Sequence, residues 1–383
     1  MKLKQQAEDF IVEEKIKVPK GEGEYSYFWL TKTNWTTIQA IKKISDQCRV
    51  SSKRFGWAGT KDKVGITKQL VSAWNVSKED IEKISLKDIT IKYAGSGSER
   101  INLGDLKSNK FELILRELNK EDIKEINNQV TVIKKYGFPN YFGEQRFGRG
   151  NTHLIGKAIL KGDLEKAAKL IISYTSNESK DATDARLFAK ENWGEWKEIL
   201  KKMPKWFGIE KALVNYLIKY PNDFGGAIRN LSKKLLKLYI HAYQSYLFNK
   251  ILAKMVSETS KHKKMKLKNM RISIPQQKTS VPYQLELPGY ATKLKNDRYS
   301  KILKNLLRRD RIFLKDFKCK SMPELKSRGT SRDTFVKVKG LRISNFEDDE
   351  LNKNKKKAKI TFTLDPGCYA TILIRSLFLR NLN

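Results

Sequence analysis

Phe55-Gly-Trp-Ala-Gly-Thr-Lys-Asp-Lys-Val-Gly-Ile-Thr-Lys-Gln69 sets one carboxylate, Asp62, between Lys61 and Lys63 on a turn bounded by Gly59 and Gly65. Strand-like runs, 54 to 58 and 66 to 74, flank the turn, so the stretch reads as a hairpin at the end of a sheet. A carboxylate placed there beside two ammonium groups has what a nucleophile or general base needs. The plainer reading is an exposed tip whose Asp stabilises the turn.

Composition narrows the choice. The chain has 383 residues and a formal net charge of +36, from 78 Lys and Arg against 42 Asp and Glu. Hydrophobic residues make up 39%, enough for packed cores, and the length predicts two domains. So large a cationic excess repels itself and predicts a polyanionic partner, RNA or DNA; the alternative is a lysine-rich solvated surface. Cys48, Cys319, Cys368 and the three histidines, His153, His241 and His262, fall at no zinc-site spacing, and an odd cysteine count argues against a disulfide framework. Residues 1 to 10 lack the apolar run of a signal peptide, and no 18 uncharged apolar residues are consecutive. The expectation is a soluble, cytoplasmic protein.

Outward from the hairpin, 9 to 14 and 25 to 32 read as strands, and Thr33 or Asn34 as the cap of a helix carrying Trp35, Ile38, Ile41 and Ile44. Ser77 opens a short helix, 89 to 93 and 111 to 116 are strands, and Asn119 caps a helix bearing Ile123, Ile126, Val130 and Ile133. Strands and helices alternate without a βαβ rhythm, which predicts an α+β fold with helices against one face. Residues 152 to 260 read as helical, with a long run from 226 whose Tyr239, Tyr243 and Tyr246 form an apolar stripe assigned to core. Two basic clusters, 261 to 271 and 298 to 311, suit phosphate binding or a solvated face. Strands return at 335 to 343 and 359 to 364, separated by a charged connector, 347 to 357, read as mobile. A terminal helix carries Arg375 among apolar residues. Strands at both ends of a helical middle predict a discontinuous domain, 1–155 with 335–383, interrupted by an inserted one, 156–334.

A second informative stretch is Gly137-Phe-Pro-Asn-Tyr-Phe-Gly-Glu-Gln-Arg-Phe-Gly-Arg149. Aromatics at 138, 141, 142 and 147 alternate with Arg146 and Arg149, the composition that stacks an extruded base and holds its phosphates. The same aromatics would equally pin a glycine-rich loop to a core.

These residues together carry a resemblance. Ala58-Gly-Thr-Lys-Asp-Lys63 with Thr67 and Gln69, Asn140-Tyr-Phe-Gly-x-Gln-Arg-Phe-Gly148, Asp9-Phe-Ile-Val-Glu-Glu14, Gly104-x-Leu-Lys-x-Asn-x-Phe111 and Pro366-Gly-x-Tyr-Ala-Thr371-x-x-x-Arg375 resemble the TruD family of pseudouridine synthases. Residues 242 to 249 and Leu287-Pro-Gly289 extend the likeness more weakly through the middle. The resemblance implies a mixed-sheet catalytic core with an inserted, largely helical domain. It also implies isomerisation of uridine to pseudouridine in RNA, most often uridine 13 of tRNA, needing neither metal nor cofactor; a monomer is expected because nothing in the sequence demands a partner chain. Asp62 is then the essential carboxylate, either a nucleophile on C1′ or the base that removes the 2′ proton. Phe142 would stack on the flipped uracil, Asn140 would fix the geometry, Arg146 would contact substrate, and Lys61 or Arg375 would be the cation opposing Asp62. Lys63, where relatives often have Arg, and Gly65-Ile66 in place of Ala-Val are small departures. The rival is a non-catalytic RNA-binding or chaperone protein on the same fold. A methyltransferase reading of Tyr93-Ala-Gly-Ser-Gly97 lacks the helix that should follow, and no G-K-[ST] completes a P-loop.

Overall fold

Regular alternation along 10 to 15 produces the strand β1 (Phe10–Lys15), which buries Phe10, Val12 and Glu14. The computed structural model describes residues 1–379. Its chain forms two compact units, one made of 1–138 with the chain from 336, the other Pro139–Phe335.

The first unit is built on a nine-stranded mixed sheet. After β2 (Tyr25–Thr33), α1 (Thr37–Gln47) and β3 (Phe55–Trp57) comes β4 (Ile66–Trp74), which lies parallel to β1 with Ile11 opposite Ile66 and Glu13 opposite Lys68. On its other side β4 pairs antiparallel with β2, Thr33 facing Ile66, and β5 (Ile89–Gly97) continues outward from β2. Beyond β1 the order is β6 (Ser108–Leu118), Lys356–Leu364 and Lys339–Ile343, all antiparallel. The parallel centre has a consequence for function. It brings the segments that precede β1 and β4, and the segment that follows β2, to one end of the sheet.

Each face is covered differently. α1 lays Ala40, Ile41 and Ile44 on Phe28, Leu30, Val71 and Ala73, whereas Tyr27 and Leu70, one residue over in each strand, point to the other face. There Ile101 and the partly buried Ile16, Val18 and Leu106 cover them. The cap of α1 is Thr36, not Thr33 or Asn34: its hydroxyl accepts from the Gln39 amide (3.2 Å) in a capping box. The apolar stripe shifts accordingly and leaves Ile38 64% exposed. α2 (Lys120–Tyr136), capped by Asn119 as expected, packs against the terminal helix Ala370–Phe378.

The connector 347 to 357 is anchored rather than loose. Its Asp349 is buried and bonds the Arg116 guanidinium (2.9 Å) and the Glu117 amide (2.8 Å). Arg116, itself buried, also pairs with Asp9 (2.8 Å) and Glu350 (3.0 Å). A run of lysines gave no hint of this, because the anchoring acids precede them and their partner lies more than 200 residues away.

The second unit surrounds a 27-residue helix, Lys233–Thr259, separated at Ser232, its cap, from the short helix Phe224–Arg229. Tyr239, Tyr243, Leu247 and Ile251 of the tyrosine stripe are buried, as a core assignment requires. Packed on this helix is Thr152–Lys161, where a Cβ on Gly156 would stand 2.0 Å from the Tyr239 carbonyl oxygen. Because Thr152–Lys161 belongs to this packing, the compact unit begins at Pro139, and a boundary at 155 would cut through the helix. The unit also contains β structure. The basic stretch after 261 forms a hairpin, His262–Leu267 with Met270–Pro275, in which Met265 and Leu267 are buried between surface lysines and face the buried Ile272 and Met270 across the register. Trp193 and Trp196 close a cluster with Phe224, ring centroids 4.8 to 6.2 Å apart. Among the described residues no helix is long and apolar enough to cross a membrane.

Candidate active site

Asp62 lies in the connection between β3 and β4, residues 58 to 65, at the end of the sheet where β1 and β4 begin. This connection is not a free hairpin tip. β3 pairs only with the far half of β4, Trp57 opposite Val71, so the segment runs back beside the first half of β4 and is tied down along its length. Gln69 Nε2 donates to the Gly59 carbonyl (3.3 Å), and the Gln69 Oε1 accepts from Thr37 (2.8 Å), whose hydroxyl accepts from the Lys61 amide (3.0 Å). At the other end Asn34 and Gly65 exchange bonds of 3.2 and 3.4 Å. Gly65 has φ +119°, and a Cβ there would meet the Phe10 carbonyl at 2.4 Å, so this turn requires glycine. These contacts give Thr37, Gln69 and Asn34 their purpose.

Three lysines hold the Asp62 segment. Lys4, ahead of β1, places its Nζ 3.1 Å from Asp62 Oδ2 while lying over the Phe10 ring, 3.7 Å from its centroid. Lys32, fully buried on β2, donates to the carbonyls of Asp62 (3.0 Å) and Trp35 (2.5 Å). Burial lowers its pKa to about 8, with Asp62 opposing and Lys61 reinforcing that shift. Lys61, expected to oppose Asp62, instead meets Glu14 of β1 at 2.5 Å, both side chains buried. Burial raises the Glu14 pKa against the pull of Lys61, and Glu14 also accepts the Leu70 amide (3.1 Å). Thus the two buried acids of Asp9-Phe-Ile-Val-Glu-Glu14 are structural: Asp9 holds Arg116, and Glu14 holds Lys61, while the third, Glu13, pairs with Lys15 and Lys68. Asp62 keeps its side chain 33% exposed. A positioned, solvent-reachable carboxylate on a buried cationic footing can attack carbon or take a proton. Arg375 is buried on Ala370–Phe378.

The second unit holds its own constellation. Asn140 is 4% exposed and fixed on every polar atom: its amide donates to Thr334 O (2.8 Å), its Nδ2 to Asp333 O (3.0 Å), and Arg332 donates to its Oδ1 (2.6 Å) and carbonyl (3.0 Å). Phe142 is clamped through its backbone by Asn249 of the long helix, 2.9 Å in both directions. Two guanidinium groups face its ring, Arg332 at 4.1 Å and Arg146 at 5.3 Å from the centroid. Tyr141 and Phe147 are fully buried, Tyr141 donating to Ser273 O (2.8 Å) and Phe147 edge-on to His153, so these two pin the loop. Arg149 is taken up by Glu178 (3.5 Å) and Glu210 (3.7 Å) and does not extend the phosphate-binding set. Sequence reasoning missed Lys4, Lys32 and Arg332. Only Asn249, within the weaker 242 to 249 match, carried any signal.

Comparison with known proteins agrees with this geometry. The family described as "tRNA pseudouridine synthase D (TruD)" matches residues 1–377. A protein of Methanosarcina acetivorans named as a probable tRNA pseudouridine synthase D is 34% identical, the alignment covering 98% of this chain and 91% of that one. One of the same name from Methanopyrus kandleri is also 34% identical, over 93% and 86%. The crystal structure of a candidate tRNA pseudouridine synthase D from Methanosarcina mazei superposes with a TM-score of 0.76 at 32% identity, over 98% of this chain and 93% of that one. With the Asp62 segment, the Asn140 loop and the mixed sheet all within the matched residues, the chain belongs to the TruD family.

Proposed function

We propose that this protein isomerises uridine to pseudouridine in tRNA, at uridine 13, with Asp62 as the essential carboxylate. The observation that carries the reading is the Asp62 segment itself. A reachable carboxylate is held by a Lys4 ion pair, a buried Lys32 and the Thr37–Gln69 relay at the end of a central parallel strand pair. No turn-stabilising aspartate needs such a footing.

The reaction breaks the N1–C1′ bond of uridine, turns the base and forms C5–C1′; the proton on C5 passes to solvent and N1 gains one. No electrons are exchanged. Asp62 serves it by adding to C1′ and later leaving, or by removing the 2′ proton to give a glycal and later returning it. Lys4 opposes the carboxylate charge in the resting site, and Lys61, fixed on Glu14, positions the segment rather than touching substrate. Phe142 is assigned to stacking on the uracil, with Arg146 at its ring and Asn140 holding the loop through Arg332. Arg375 is assigned as a further cation of the site. In this reading the unit containing the nine-stranded sheet is the catalytic domain, the interrupting unit is the family's inserted domain, and the enzyme works as a cytoplasmic monomer without a cofactor.

The test is to incubate purified protein with an unmodified tRNA transcript and map pseudouridine by carbodiimide-dependent primer stops. A single new stop at position 13, absent from a transcript with cytidine there, is expected. A stop elsewhere would overturn the target, and no stop in any cellular RNA pool would overturn the activity.

A further inference from the structure

A groove of about 500 Å³ lies in the second unit between the long helix Lys233–Thr259, the hairpin after it and the helix Arg298–Asp310. Lys250, Lys254, Lys264, Arg271 and Arg309 line it, and none of the described lining residues is a carboxylate. Two of the five are partly neutralised: Lys254 by Glu258 (2.8 Å), Arg309 by Asp310 (3.4 Å) and the Tyr246 hydroxyl (3.1 Å). Lys250, Lys264 and Arg271 have no carboxylate within ion-pair distance among the described residues. Burial together with Arg309 and Arg271 lowers the pKa of Lys250. Such an arrangement is unfavourable alone and is relieved by an anion.

The lining also says which anion. Its five cations, from three separate elements, outnumber the charges of one phosphate, which suits a chain of charges better than a single ion. Its remaining polar groups, Ser257, Ser273 and Asn305, can bond phosphate oxygens or ribose hydroxyls. No aromatic residue lines it, so it offers a base nothing to stack on. We propose that this groove seats consecutive backbone phosphates of the tRNA without reading its bases, a contact that positions the substrate. The proposal rests on the tRNA reading above.

The experiment measures binding of a tRNA transcript across salt from about 50 to 200 mM. Wild type is compared with Lys264→Ala/Arg271→Ala, both exposed sites, and with Lys180→Ala/Lys197→Ala, which removes the same charge elsewhere in the unit. The groove variant should bind about tenfold more weakly at 0.1 M salt, with a slope of log affinity against log salt shallower by about two, whatever the tRNA sequence. Unchanged affinity and slope would overturn the proposal, as would an equal loss in the control variant. Saturable binding of inorganic phosphate by wild type with no effect of the groove variant on tRNA would make it a free-anion site and also overturn it. Pseudouridine formation by wild type, assayed in the same preparations, decides the enzymatic reading separately: a wild type that forms none but shows the slope difference loses the activity and keeps the groove.

Discussion

At the scale of single residues the site turns on which cation meets which carboxylate. Lys61 is adjacent to Asp62 in sequence, yet its ammonium pairs with Glu14, and the ion pair to Asp62 comes from Lys4. Replacing Lys4 by Met should lower kcat on the order of a hundredfold with KM moved much less, because the cation is needed where charge shifts in the reaction rather than for binding. A near-normal kcat in steady-state tritium-release kinetics would remove Lys4 from the mechanism. Lys32 supplies a pH signature. Its pKa is about 8 in the folded protein and 10.5 in an unfolded chain, so between those values the unfolded state holds a proton that the native state lacks. The penalty of burying the ammonium is therefore complete below about pH 8 and disappears as pH rises towards 10.5. Urea unfolding of wild type compared with Lys32→Met should show the wild type gaining stability relative to the variant across that window; parallel pH profiles would contradict the assignment.

At the scale of elements, what was legible in the sequence followed from local chemistry. The strand ends around Asp62, the Asn119 cap and the tyrosine stripe all depend on neighbours within a few residues; the structure matches the first two and buries Tyr239 and Tyr243 of the third, leaving Tyr246 half-buried. What was not legible depends on pairing across distance. Lys4 carries no local mark of function; it reaches Asp62 only because β1 lies parallel to β4 and both strands begin at the same end. The connector 347 to 357 read as loose because its lysines are conspicuous, whereas its position is fixed by Asp349 on Arg116. Arg116 thus joins the turn before β1, β6 and the connector through Asp9, Asp349 and Glu350. Arg116→Met should lose about 3–5 kcal/mol of stability, since it leaves Asp9 and Asp349 buried without a counter-ion. A loss of unfolding free energy in urea of less than about a quarter of that would show the cluster to be dispensable.

At the scale of the whole molecule, the +36 charge has a structural distribution that the composition alone did not reveal. Of the 78 Lys and Arg, some pair internally with Glu14, Asp9, Asp349, Glu178 and Glu210, some form the footing of Asp62, and some line a groove free of acids. Fold class and family were readable because motifs at both ends of the chain surround a helical middle. The hairpin and short strands within the insert were not, since 261 to 271 presents lysines at positions where a strand merely faces water. The most direct test of the account is release of tritium from C5-labelled uridine in tRNA, by wild type beside Asp62→Asn. Wild type should release label while Asp62→Asn, still binding tRNA, releases none; label released by both would contradict the central role of Asp62.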